Sequence, residues 1–202
     1  MKKRNNRLWV IAAIVALCAA GWMASCNGNA DANKTVAQKD TLTTGKSGYL
    51  DAVERYLIDS IGAQYSQGDL CIPCTMLVTS KENADSVLVY GDFWVFNYKI
   101  AGDTLKTVSG GSHPGLMCVK KTGEDEFVVT AFDQVEDGQS NEASAKRIFG
   151  NLYEDFRAIN SNEKRRELIR AKCIAQFLKA NKLDYKYYQD YGWPAKKIVI
   201  SD

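Results

Sequence analysis

The chain has 202 residues, with 26 lysines and arginines against 24 aspartates and glutamates, and a formal net charge of +2. This near balance of charge, with no nucleic-acid-binding motif, argues against a nucleic-acid partner. The residues that follow the N-terminal segment are numerous enough to bury a core of ordinary size.

The N-terminus joins a basic lead to a long apolar run. The basic lead consists of Lys2, Lys3, Arg4 and Arg7, and an apolar stretch without charged residues follows over residues 8–24. A transmembrane helix needs roughly 17 to 25 apolar residues, so a membrane anchor is one interpretation of this run. A cleaved secretory signal is another interpretation, because small residues end the run.

The run ends in Met23-Ala24-Ser25-Cys26, where small residues precede a cysteine. This segment resembles the lipobox of bacterial lipoproteins, with Met23 in place of the usual leucine. The resemblance implies cleavage before Cys26 and several acyl chains on that residue, which together hold a protein stably on a membrane. Asn27 is not the aspartate associated with inner-membrane retention, so the resemblance favours the outer membrane of a Gram-negative cell.

Cleavage before Cys26 divides the chain and changes its charge. The basic lead leaves with the signal peptide at residues 1–25, and the 22 bases and 24 acids that remain give a formal charge of −2. Residues 26–47 are polar and small and have little to bury, which predicts a flexible tether. Residues 48–202 are predicted to form a single α+β domain.

The pattern of apolar residues in this body predicts a helix, then strands, then two helices. The first helix is predicted over residues 48–65. Strands are predicted over 75–79, 86–101 and 126–135, and a further strand is interrupted at 109–115. This order is typical of an α+β fold in which an N-terminal helix packs on a curved antiparallel meander sheet and C-terminal helices follow. In element order alone it resembles the NTF2-like and cystatin-like folds.

The strand over residues 86–101 is apolar on both faces, so both faces need cover. Its even positions include Trp94, Phe96 and Tyr98. Core packing beneath the C-terminal helices is one interpretation of these aromatics. The other is a binding pocket with these three residues as its floor, which takes a small apolar ligand or part of an envelope protein.

The only histidine, His113, lies in a glycine-rich stretch. A two-residue turn at Gly102-Asp103 predicts a register that places Tyr98 opposite Thr107 and Asp92 opposite His113. An aspartate–histidine pair can perform general acid–base chemistry. The alternative is a structural histidine that hydrogen-bonds within its loop. A bulge at Gly110-Gly111 would change the predicted register.

Cys71-Ile72-Pro73-Cys74 has the spacing of a redox-active cysteine pair. The pair is predicted to follow a helix and precede a strand, the reverse of a thioredoxin-like arrangement, which favours structural cysteines. With Cys118 and Cys173 there are four cysteines in the body, and the sequence leaves three disulfide pairings open. No spacing of ligand residues predicts a metal site, and no motif predicts a cofactor.

Toward the C-terminus, Lys164-Arg165-Arg166 lies between Glu163 and Glu167, a pattern typical of a solvated helix face. The sequence as a whole favours a lipid-anchored envelope protein with a non-catalytic domain that binds a ligand or a protein. An envelope hydrolase that uses Asp92 and His113 is the alternative. A thiol–disulfide protein that uses Cys71 and Cys74 is a third hypothesis.

Overall fold

The computed structural model describes residues 48–199. The predicted signal peptide at residues 1–25, the lipidation site Cys26 and the predicted tether at residues 26–47 lie outside the described residues and stay predictions. Within residues 48–199, no helix combines the length and the apolar character needed to cross a membrane.

The described chain is an α+β structure, as predicted. The helices are α1 (Gly48–Tyr56), α2 (Asn141–Phe149), α3 (Tyr153–Asn160) and α4 (Glu163–Ala180). The strands are β1 (Leu70–Glu82), β2 (Ser86–Ala101), β3 (Thr104–Lys121), β4 (Phe127–Gln134), β5 (Tyr187–Gln189) and β6 (Lys196–Lys197). A π-helical segment, Leu57–Ile61, and a 3-10 turn, Gly62–Gln64, extend α1, so the first predicted helix is nearly complete.

The strands form one curled, mixed sheet. β1, β2 and β3 pair antiparallel in chain order, and β4 pairs antiparallel with β3 over Gly115–Lys121. β5 pairs in parallel with the start of β3, and β6 then pairs antiparallel with β5. The predicted antiparallel meander is therefore correct for the first four strands, whereas β5 makes the complete sheet mixed.

Two strands are longer than the sequence predicted, because they tolerate residues that usually break strands. β1 begins at Leu70 and includes Pro73, which is accommodated because β1 is an edge strand whose outer side needs no amide donor. β3 continues through residues 109–115, where it stays paired with β2 and places Gly110 opposite Phe96. The predicted interruption of β3 is wrong.

The first of the two helices predicted after the strands is divided into α2 and α3. Gly150 lies between them with φ +53°, a left-handed value that glycine adopts without strain. Its amide donates to the Lys146 carbonyl and so closes the end of α2. The C-terminal part therefore holds three helices rather than the two predicted.

The two faces of β2 have different covers. One face packs against α1 and its extension, where Phe93 and Val95 join Val53 and Leu57 in a fully buried core. The opposite face carries the aromatic residues of even number and packs beneath α3, α4 and the C-terminal strands. The C-terminal helices thus provide the second cover that the apolar pattern of β2 required. The resemblance to the NTF2-like and cystatin-like folds stays a prediction.

Candidate functional site

Arg170 of α4 packs on the aromatic face of β2. The guanidinium carbon of Arg170 lies 3.9 Å from the centre of the Phe96 ring, 5.8 Å from that of Tyr98 and 5.6 Å from that of Tyr188. Within about 6 Å of an aromatic face a cation is attracted by the ring quadrupole, more so when water is excluded. The three rings therefore surround the cation with favourable electrostatic surface.

The edge of the same guanidinium is bound by acceptors. Arg170 donates to both carboxylate oxygens of Asp190, at 2.9 and 2.8 Å, and to Thr107 Oγ1 at 2.9 Å. Its Nε and Nη2 donate to the Tyr98 hydroxyl at 3.2 and 3.1 Å. Thr107 in turn donates to Asp190 at 2.6 Å. The network joins α4, β2, β3 and the residue after β5, which are distant in sequence.

Burial and neighbouring polar groups together set the pKa values of Tyr98 and Arg170 in this network. Burial raises the pKa of Tyr98 to about 12, although the neighbouring Arg170 acts in the opposite direction. For Arg170 burial acts to lower the pKa, but Tyr98 and Asp190 outweigh it and the pKa is raised. At neutral pH the network is therefore a charged arginine, a neutral phenol and an aspartate in bidentate contact with the arginine.

A cavity of about 360 Å³ borders this network. Its floor is Trp94 and Phe96 of β2, and its walls come from α4 and from the hairpin formed by β5, β6 and their connection. The wall residues are Glu163, Arg166, Glu167, Arg170, Tyr188, Asp190, Trp193 and Lys196. Of the three aromatic residues predicted to form the floor of a pocket, Trp94 and Phe96 line this cavity. Tyr98 does not line it and instead accepts hydrogen bonds from Arg170.

Arg166 is the second arginine of the cavity. Its guanidinium carbon lies 5.1 Å from the centre of the Trp94 ring, and Nη1 donates to the Asn160 carbonyl over 3.4 Å. The interpretation of Lys164-Arg165-Arg166 as a solvated face is therefore wrong for Arg166, which is half-buried against the sheet, and holds for the exposed Lys164.

The sequence carried a signal for both arginines that the charge pattern obscured. Arg166, Arg170, Ile174 and Leu178 recur every four residues and so share one side of α4. Ile174 and Leu178 are buried against the sheet. Arg170 and Arg166 lie one and two turns before Ile174 on this apolar side of α4. They therefore face the sheet, even though charged residues flank them in the sequence.

Asp92 and His113 are not brought together. β3 contains one extra residue, Val108, between the partners of Asn97 and Tyr98. Tyr98 lies opposite Thr107 as predicted, but beyond the bulge Asp92 lies opposite Pro114 and Phe93 lies opposite His113. Neighbouring residues of a strand point to opposite faces, so the one-residue shift places the two side chains on different sides of the sheet.

Each of these two side chains has its own partners. Asp92 is fully buried and accepts hydrogen bonds from Ser112 Oγ at 2.6 Å and Asn160 Nδ2 at 2.9 Å. His113 Nε2 lies 3.0 Å from the hydroxyl of Tyr65 beneath the α1 extension. Asp92 is therefore held in the interface with α3, and His113 in the opposite layer.

Burial lowers the pKa of His113 below its ordinary value. The side chain of Gln134, then Asp92 and Asp137, offset part of this shift by favouring the protonated ring. The net direction keeps the buried imidazole neutral near pH 7, as a structural histidine is.

Among the described residues, the cysteines form one disulfide, between Cys74 of β1 and Cys173 of α4, with Cα atoms 5.5 Å apart. Cys71 and Cys118 lie outside it. The close pair Cys71 and Cys74 is thus not a dithiol pair, and burial followed by the charge of Asp59 raises the pKa of Cys71 to about 11. A thiol with that pKa is a poor nucleophile, so the geometry does not provide the predicted exchange site.

Metal ligands do not cluster in residues 48–199, where no three histidine, cysteine or acidic side chains lie close enough to hold an ion. Comparison with known proteins adds no relative: no family model, no curated protein and no solved structure matches the chain. The arginine-lined cavity is therefore the candidate site on its geometry alone.

Proposed function

We propose that this chain is a lipid-anchored protein of the bacterial cell envelope whose domain binds a small molecule, without catalysis, in the cavity between β2 and α4. The observation that carries the proposal is the combination of an aromatic floor, Trp94 and Phe96, with an arginine fixed above it. Ligand sites are typically concave, largely apolar and equipped with a few convergent polar groups.

The fixed network supports binding by a preformed site. Arg170 has aromatic rings on its face and Asp190, Tyr98 and Thr107 along its edge, so its orientation does not depend on a ligand. A site that is ordered before binding loses less conformational entropy when the ligand enters. The cavity volume of about 360 Å³ lies at the small end of the usual range of roughly 300–1,000 Å³ and suits a compact ligand.

The separation of Asp92 from His113 favours binding over hydrolysis. A general base must reach the group that it deprotonates, and neither residue lines the cavity. The disulfide at Cys74 likewise favours a structural over a redox role for the cysteines. Anchoring is proposed from the sequence around Cys26, and the placement in the outer membrane from Asn27.

The anchor is tested by Cys26→Ser in the producing bacterium. We expect the variant to lose incorporation of labelled palmitate and to leave the membrane fraction, because the acyl chains supply the membrane affinity. Cys18→Ser is the matched control, since Cys18 lies inside the apolar run and is removed with the signal peptide. Unchanged fractionation and acylation of Cys26→Ser would contradict the proposed anchor.

Ligand binding is tested by saturation-transfer NMR of the full-length protein in detergent with a panel of small aromatic acids, amides and amines. Trp193 borders the cavity and is two-thirds exposed, so Trp193→Ala removes a wall at little cost to folding. Tyr191→Ala is the control, because Tyr191 is exposed in the same turn and does not line the cavity. Binding that is weakened by Trp193→Ala but not by Tyr191→Ala supports the proposal; a panel without such a compound contradicts it.

A further inference from the structure

The inner side of α4 changes character along its length. Ile174 and Leu178 are buried against the sheet, whereas Arg170 and Arg166, one and two turns earlier, border the cavity. Four helical residues rise about 6 Å, close to the roughly 6.7 Å between alternate residues of a strand. This match in spacing places Arg166 over Trp94 and Arg170 over Phe96, so each arginine has its own ring.

The two arginines differ in how many of their donors are used. Arg170 is bound by Asp190, Tyr98 and Thr107. Within the described residues 48–199, the side chain of Arg166 makes one long hydrogen bond, to the Asn160 carbonyl, and forms no salt bridge. A guanidinium carries five N–H donors, so Arg166 has donors available for a ligand.

The acidic residues of the cavity do not neutralise Arg166. Asp190 is bound to Arg170, and Glu167 is bound to Lys196 of the hairpin. Glu163 is exposed in the first turn of α4, where water and salt weaken its effect on the interior. The inner wall thus presents cationic donors and flat rings, while its carboxylates are paired or face solvent.

One further group on this wall lacks a partner. Trp94 is 3% exposed, lines the cavity, and its indole nitrogen is buried without a hydrogen bond in the described part of the chain. An indole N–H can only donate, and leaving a buried donor without an acceptor is destabilising. Arg166 therefore offers unused donors at the cavity, and the indole N–H of Trp94 is a second donor without an acceptor, buried in the floor.

We infer that the cavity takes a compact organic anion, with one carboxylate bound by the guanidinium of Arg166 and a flat apolar body packed against the exposed ring of Trp193. The inference rests on the proposed ligand-binding function and specifies its ligand class. The apolar floor distinguishes this ligand from an inorganic anion, and Arg166 distinguishes it from a cation. A carboxylate matches the planar fork of a guanidinium, which binds it through two parallel hydrogen bonds.

The test compares 2-naphthoate with 2-naphthamide, which have the same rings and nearly the same shape but differ in charge. Binding to the full-length protein in detergent is measured by isothermal titration calorimetry at low salt. We expect naphthoate to bind at least about tenfold more tightly than naphthamide, since hydrogen bonds between two charged groups are stronger than those to a neutral amide.

Variants of α4 assign the preference to Arg166. We expect Arg166→Gln to remove the preference for naphthoate and to leave naphthamide binding within about twofold, because charge is lost and the rings remain. Arg166→Lys should recover only part of the preference, since an ammonium cannot bind bidentately. Lys164→Gln is the matched control: it removes the same charge from an exposed position of the same helix and leaves the preference unchanged.

The outcomes separate this inference from the proposal on which it rests. If naphthamide binds as tightly as naphthoate, the ligand class is not anionic, but the cavity still binds ligands. The same conclusion follows if Arg166→Gln weakens the binding of both compounds equally. A loss of preference in Lys164→Gln as large as in Arg166→Gln attributes the effect to overall charge and also overturns the inference. Failure of every aromatic acid, amide and amine to bind overturns both.

Discussion

The guanidinium carbon of Arg170 lies 3.9 Å from the centre of the Phe96 ring, while both oxygens of Asp190 accept hydrogen bonds from the edge of the same group. The ring occupies the face of the cation and the carboxylate occupies its edge, so the side chain has one orientation. Because Phe96 also forms the cavity floor, the network that stabilises the fold also shapes the candidate site.

We expect Arg170→Gln to lower the free energy of unfolding by about 1–3 kcal/mol, because the buried Tyr98 and the partly buried Asp190 and Thr107 lose a common donor. Arg170→Lys should recover only part of this loss, since an ammonium cannot reproduce the planar fork. Urea denaturation measures both. Lys172→Gln, an exposed change on the same helix, should stay within about 0.5 kcal/mol of the parent. If Arg170→Gln has the same unfolding free energy as Lys172→Gln, the network does not stabilise the fold.

Replacing Gly110 by any residue with a Cβ is expected to destabilise the fold. Gly110 has φ +132°, and a Cβ there would lie 2.2 Å from the Val95 carbonyl oxygen and 2.8 Å from Phe96 Cδ1. Gly110→Ala should therefore lower the unfolding free energy by about 2–4 kcal/mol, through backbone strain and displacement of the cavity floor. Gly102→Ala is the control, because Gly102 also has a positive φ, +63°, but open space around it, and should cost about 1–2 kcal/mol. If thermal unfolding shows the same loss of stability for Gly110→Ala and Gly102→Ala, the clash with Val95 and Phe96 does not contribute.

The disulfide between Cys74 and Cys173 closes a loop with a sequence separation of 99 residues. Replacing both cysteines with serine should lower the unfolding free energy by about 2–4 kcal/mol, because the unfolded chain regains the freedom of that loop. Denaturation with and without reductant measures the effect, and the double variant should be insensitive to reductant. A peptide map that links Cys71 to Cys74 would contradict the structure.

His113 predicts a loss of stability on acidification. Its folded pKa lies below the ordinary value, chiefly because it is buried, so the unfolded chain binds the proton more tightly. The contribution of His113 is fully present above the unfolded pKa of about 6.5 and is lost as the pH falls toward the folded pKa. We expect His113→Gln to show a weaker fall in unfolding free energy between about pH 7.5 and 5.

Because His113 is the only histidine, its ring signals in an NMR titration report this pKa directly. The expected midpoint lies below that of the same ring in the urea-unfolded protein, which serves as the control. A folded midpoint at or above the unfolded one would show that the interactions with Gln134, Asp92 and Asp137 outweigh burial.

Local pattern was enough to predict most of the elements of the described body. The bounds of β2 follow from apolar residues on both of its faces, and the same pattern required cover from both sides, which α1 and the C-terminal helices provide. The predictions were wrong where a single residue changes an element. Gly150 divides the helix that was predicted as one, and β1 starts before Pro73 because an edge strand accepts a proline. Such effects depend on neighbours that periodicity does not specify.

The candidate site was predictable only in part. Trp94 and Phe96 were identified because an aromatic stripe is a local feature, whereas the Asp92–His113 pair failed because one bulge at Val108 shifted the register beyond it. A bulge in β3 shows in the pairing of two strands and not in either strand alone. The predicted register is correct between the turn and the bulge, where Tyr98 lies opposite Thr107.

By itself, the sequence determined which residues of β2 share a face and that Arg166, Arg170, Ile174 and Leu178 share one side of α4, because side-chain direction follows from backbone periodicity. The tertiary structure alone decided that these two stripes meet, that Asp190 completes the pair with Arg170, and that a cavity remains beside Arg166. These contacts join segments many residues apart, and they arise from the packing of the whole domain rather than from any local pattern.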